Sequence, residues 1–193
     1  MPNLAGSTVT VWSADPAALA AVKAHVAAPA AQSTGHGLRA WLHAVGEQRG
    51  RPRVRTTARA FSLEAVVPTG MSLDAWDGDR ALELWGTSRP EEHSSLEHES
   101  DDRLVYELAT AYSHPAEVFR ALSAAHPSVV VHAVTTCESE YAAVAWYVRG
   151  EALDERELEL DLTDEEWEEW DGEWDLPADW SFDAATARRL ASG

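Results

Sequence analysis

Residues 104 to 149 constrain the fold most, because they spell four structural elements in a row. Leu104-Val105-Tyr106-Glu107-Leu108-Ala109-Thr110-Ala111-Tyr112 alternates like a half-buried strand. Ser113-His114-Pro115 supplies a helix start, the helix runs to about Ala125, and His126-Pro127 ends it. Val129 to Thr136 is rich in β-branched residues and Tyr141 to Val148 mixes aromatic with β-branched ones. The intervening Cys137-Glu138-Ser139-Glu140 is short enough for a hairpin. The stretch therefore reads strand, helix, strand, strand.

The first hundred residues add to this pattern. Thr8-Val9-Thr10-Val11-Trp12 alternates, and Ser13, Asp15 and Pro16 open a helix to about Val26 whose Leu19, Val22 and Val26 form one apolar stripe. Leu38, Trp41, Leu42 and Val45 predict a second short helix ending near Gly46 or Gly50. From Arg53 the chain reads extended, with Phe61, Leu63, Ala65 and Val67 on one face before Pro68-Thr69-Gly70 turns it. Trp76, Ala81, Leu82 and Leu84 lead into Trp85-Gly86-Thr87, and the polar run from Glu91 to Asp102 reads as a surface loop. The fold class is α+β: a ferredoxin-like antiparallel sheet with helices on one face over residues 1–151, and an acidic, tryptophan-rich C-terminal extension over 152–193.

Charge is distributed unevenly. The formal net charge is −18, and residues 151 to 183 hold 16 acids against one arginine. Residues 1 to 60 hold seven Lys or Arg and two acids, with Arg49, Arg51, Arg53, Arg55 and Arg59 in a basic stripe. Net negative charge opposes binding to phosphate backbones, so direct nucleic-acid binding through that stripe is the second functional reading. A single cysteine, Cys137, suits a reducing compartment; the start lacks a secretory pattern and no apolar run suffices to span a bilayer, so a cytoplasmic location without membrane contact is expected.

Within the extension, Glu157-Leu158-Glu159-Leu160-Asp161-Leu162 alternates with period two and predicts an edge strand. Thr163-Asp164-Glu165-Glu166 has capping-box spacing. The following helix sets Trp167, Trp170 and Trp174 on one side, with Glu165, Glu166, Glu168, Glu169 and Asp171 among its acids. Docking of that stripe on the protein's own core is the ordinary reading. The alternative is a partner-binding anchor, with tryptophans supplying energy and carboxylates selecting a basic partner.

Catalytic signatures are missing from the sequence. His93 and His98 lie five apart, which misses the helical spacing of paired metal ligands, and no paired cysteines support them, so no metal site is assigned. No phosphate-binding glycine loop, nucleophile elbow or zinc-protease helix occurs, so no catalytic residue is assigned and no cofactor is expected. Trp85, Gly86, Thr87, Thr110, Tyr112, Ser113 and His114 are the ligand or surface candidates, with His114 the base of a small-molecule enzyme if one exists there. Packing and capping roles are preferred for them, with Trp85 anchoring a helix to the sheet.

These motifs resemble the YubB-type ferredoxin-like family of plasmid and phage proteins. The resemblance rests on Met1-Pro2-Asn3, a segment Leu63 to Pro68 ending in proline, Trp85-Gly86-Thr87, Thr110-Ala111-Tyr112-Ser113-His114-Pro115, the helix Val118-Phe119-Arg120-Ala121-Leu122, and a closing Arg149-Gly150-Glu151. Ser88-Arg89 replaces the family's Lys-Trp, Tyr112 its tryptophan and His114 its first proline. The resemblance implies an accessory gene of a mobile element and carries no catalytic role. Together with the acidic tail, it predicts a non-enzymatic protein that captures a basic host protein, plausible as a nucleic-acid mimic in counter-defence.

Overall fold

The computed structural model describes residues 4–27, 60–137, 141–159 and 175–193. Six strands form one antiparallel sheet: β1 (Leu4–Trp12), β2 (His93–Glu99), β3 (Arg103–Ala111), β4 (Val130–Cys137), β5 (Tyr141–Val148) and β6 (Glu151–Glu159). Their order across the sheet is β2-β3-β1-β4-β5-β6. Helices α1 (Pro16–Val26), α2 (Leu63–Val66), α3 (Gly78–Trp85), α4 (Ala116–Ala125) and α5 (Ala184–Ser192) pack against it, with single 3-10 turns at Leu73–Ala75 and Ala178–Trp180. The first predicted helix holds as written: Asp15 accepts a hydrogen bond from the Ala17 N–H, and Leu19, Val22 and Val26 are buried.

Strand alternation sends two different sets of side chains to the two faces. Val9, Val11, Tyr106, Leu108, Val131 and Tyr147 face α1 to α4 in the main core. Phe61 joins there, 5.4 Å from the Tyr106 ring and 6.4 Å from Phe119, which lies 5.6 Å from Tyr147. These centroid separations are those of favourable tilted aromatic pairs. Trp12, Val130, Trp146 and Val148 point the opposite way and pack with Ala187, Leu190 and Phe182. Helices therefore lie on both faces: α5 covers part of the face that the one-sided expectation left open, because these large apolar groups point toward it.

Two local expectations fail. Residues 61–67 do not form a strand. Leu63–Val66 is a single helical turn whose first N–H, that of Leu63, donates to the buried Glu91 carboxylate at 3.1 Å. Phe61 and Leu63 are nonetheless fully buried. The run from Glu91 to Asp102 is not a loop either, since β2 occupies its middle and pairs with β3 through a bulge between Leu96 and His98. Its sequence is polar because β2 is an edge strand: Ser94 and Leu96 face the core side, while His93, Glu97, His98 and Glu99 are exposed.

The predicted second helix near Leu38, the arginine stripe Arg49–Arg59 and the helix carrying Trp167, Trp170, Trp174 and Glu165, Glu166, Glu168, Glu169 and Asp171 lie outside the described residues. The predicted tail strand corresponds in part to β6, which starts at Glu151 and continues the sheet after β5. Arg149 and Gly150 make the tight turn between them with φ of 52° and 88°, the left-handed pair that a two-residue hairpin demands.

Candidate functional site

The structure brings the two motif segments Trp85-Gly86-Thr87 and Thr110 to His114 together. Gly86 ends α3 in the left-handed conformation at φ 82°, where glycine carries no Cβ penalty. A Cβ there would lie 3.0 Å from the His114 carbonyl oxygen and 3.2 Å from the Ala116 nitrogen. The Ser113 hydroxyl donates to the Gly86 carbonyl at 2.6 Å, and Thr87 donates to the Ala111 carbonyl at 2.8 Å. The Thr110 hydroxyl lies 2.8 Å from the Ser113 carbonyl oxygen and 3.4 Å from that of Ala5. Ser113 therefore ties two loops together and does not cap α4, whose N-cap is Pro115 and has no side-chain hydrogen bond.

Trp85 is fully buried, and its indole N–H donates to the Val67 carbonyl at 2.8 Å. The His114 N–H donates to the Tyr141 hydroxyl at 3.2 Å. Burial holds the His114 imidazole below its ordinary pKa, with the Glu155 and Glu157 carboxylates pulling the other way. Neutral imidazole is thus its resting form near pH 7. Tyr112 differs from its neighbours: the residue is 46% exposed and its backbone sits at φ 66°. Of the seven candidates, it presents an aromatic face to solvent, while the three hydroxyls are spent on backbone carbonyls. The Cys137 thiol donates to the Tyr112 carbonyl at 3.4 Å and is buried.

A second feature lies along β6, at one edge of the sheet. Glu151, Asp154, Glu155, Glu157 and Glu159 are all exposed, as is Leu158 at 39%. Arg156, the strand's one cation, bonds to Asp179 at 2.7 Å and lies 3.4 Å from Asp154, with its guanidinium 5.9 Å from the Trp180 ring. Arg120 of α4 reaches Glu155 at 3.4 Å. The edge is therefore dominated by carboxylates.

A protein described as api92 from Yersinia pseudotuberculosis, of the family DUF1281, is similar to this chain in structure. The TM-score is 0.53 at 9% identity, over 84% of this chain and 100% of the other. That likeness shows the fold. No family model matches the chain, and no curated protein matches it. Among the described residues, no helix is long and apolar enough to cross a membrane.

Sequence reasoning missed a polar row on the second face of the sheet. Thr8 of β1 stands opposite Glu107 of β3, and its hydroxyl donates to the Glu107 carboxylate at 2.7 Å. Burial, with Glu97 nearby, raises the Glu107 pKa against the lowering effect of that bond. Thr10 stands opposite His132 of β4. His132 carried a signal: it is the one ring with titratable nitrogens inside the β-branched run Val129 to Thr136.

Proposed function

We propose that this chain is a non-enzymatic accessory binding protein of a mobile element, phage or plasmid, whose acidic surface captures a basic host protein that handles nucleic acid. Its scaffold is ferredoxin-like: β1, α1, β2, β3, α4 and β4 follow a β-α-β-β-α-β order and lie as β2-β3-β1-β4, with β5 and β6 added beyond β4. The mobile-element setting rests on the motif resemblance, and fold kinship contributes no mechanism.

The observation that carries the reading is the concentration of exposed carboxylates along β6. Exposed acids along the strand, Glu157 and Glu159 on one face and Glu151 on the other, give a concentration of negative charge that attracts a cationic groove and competes for it with phosphates. Its only arginine is already held by Asp179 and Asp154. The tail residues 160–174 extend the same acidic run in sequence.

The test is retention of basic proteins from a bacterial lysate on the immobilised full chain, compared with a folded Glu151→Gln, Glu157→Gln, Glu159→Gln variant. Retention that falls in the variant, and falls again for the parent chain as salt rises, supports charge-guided capture. Equal retention by both proteins overturns it.

A further inference from the structure

β6 closes one side of the sheet, and among the described residues β5 is its sole strand partner. An antiparallel edge strand turns the N–H and C=O of every second residue away from its neighbour, where they template a further strand. Bulges ordinarily blunt such edges. Here the register with β5 slips between Val144 and Trp146, and Asp154 sits at φ 51°. Beyond that irregularity the pairing runs regularly from Arg156 to Glu159, and Glu157, Leu158 and Glu159 are all exposed.

The two faces of this stretch differ in chemistry. Glu157 stands opposite Ala143 and Glu159 opposite Tyr141, in step with Ala145 and Tyr147 of the main core. Leu158 stands opposite Ala142 and Arg156 opposite Val144, on the second face, where Ala142 and Val144 pack with Trp180. Arg156 is held by Asp179 and Asp154, and Arg120 by Glu117 and Glu155. Among the described residues, no ion pair reaches Glu157 or Glu159. Leu158, 39% exposed, lies between them in sequence.

An extended segment laid along this edge meets the two faces in alternation. Side chains beside Glu157 and Glu159 are favoured if they are lysine or arginine, because opposite charges on neighbouring strands attract. Side chains beside Leu158 are favoured if they are apolar. An acidic segment meets carboxylates at the same positions and is repelled. Charge and register together therefore select one class of occupant.

We propose that an extended basic segment of the captured protein adds to β6 as a further strand, with lysine or arginine at every second position and apolar residues between. The inference rests on the capture reading above and gives it a docking geometry. Main-chain hydrogen bonds from the outer side of Arg156 to Glu159 hold the segment, and the alternating faces of β6 choose it.

The test uses the full chain, labelled with nitrogen-15, and two short peptides at low salt. One alternates arginine with valine. The other has the same sequence with every backbone nitrogen methylated, which keeps the charge and removes every main-chain donor. The first peptide binds roughly ten-fold more tightly than the second, the scale of one or two hydrogen bonds. It also slows hydrogen exchange at alternate amides between Arg156 and Glu159, and its affinity falls in the triple Gln variant of β6. If that variant fails to fold, the peptide pair and the exchange readout on the parent protein decide alone. Equal affinity for the two peptides, or unchanged exchange along β6 at saturation, overturns strand addition and leaves charge-guided capture standing. Binding of neither peptide also overturns it, and retention of basic lysate proteins by the parent chain then decides the capture reading separately.

Discussion

The Ser113 hydroxyl donates a hydrogen bond to the carbonyl of Gly86 across 27 residues of sequence, at 2.6 Å. The bond joins the C-terminal end of α3 to the turn between β3 and α4. Gly86→Ala places a methyl group 3.0 Å from the His114 carbonyl oxygen and imposes left-handed strain. The expected destabilisation is about 2 kcal/mol or more, and Ser113→Ala costs about 1 kcal/mol. Urea unfolding of the two variants and their double mutant measures both losses and their coupling.

Tyr112 makes the opposite prediction. A tyrosine at φ 66° is strained, and nearly half of the residue is exposed. Tyr112→Gly relieves the backbone and is neutral to stabilising by up to about 1 kcal/mol. Thermal unfolding checks the sign. Any loss of ligand or partner binding in this variant is then assignable to the ring itself and not to damage to the fold.

Acid is expected to destabilise the fold in part through His114, His126 and His132. His114, His126 and His132 are all lowered, chiefly by burial, so the unfolded chain takes up protons that the folded chain refuses. Stability is complete above the ordinary histidine value of 6.5 and falls as pH drops toward about 4, the His132 value. Glu107, whose pKa is raised, works in the opposite direction and offsets part of the loss. His132→Phe removes up to about 3 kcal/mol of the stability lost across that window. Urea unfolding at a series of pH values measures it.

His25 near the end of α1 and His126 at the end of α4 touch directly, with Nδ1 of the first 2.8 Å from Nε2 of the second. The contact requires one proton between the two nitrogens and excludes a second. Burial, followed by the His25 charge, lowers the His126 pKa. His25→Ala moves the His126 titration upward, and an NMR pH titration of the ring protons reads the change.

The legible parts of this chain are those where side-chain alternation and helix punctuation agree. β3, α4, β4 and β5 were readable from Leu104 onward because apolar positions alternate through the strands and His126-Pro127 marks the helix end. β2 was illegible because its core-facing residues include only one large apolar group, Leu96, and an edge strand needs little more. The apolar spacing around Leu63 suits a strand, whereas the first N–H of the turn it forms is satisfied by Glu91, 28 residues away. Local spacing does not encode that carboxylate. α5 rests on Ala187 and Leu190, too short a stripe to announce itself, although the Asp183 cap was available. At the motif pair, sequence order located the right residues, but only the fold reveals that Ser113 and Thr87 turn toward carbonyls.

The two ends of the sheet share one property with a consequence for the molecule in bulk. β2 ends the sheet on one side with Glu97 and Glu99 exposed, and β6 ends it on the other with Glu151, Glu157 and Glu159 exposed. Lys23 pairs with Glu99 on the β2 side, so the unpaired carboxylates are concentrated at β6, and two β6 edges brought together repel each other near neutral pH. The same acids that would attract a basic partner oppose contact between copies of the chain at that edge, a repulsion that acid or high salt removes.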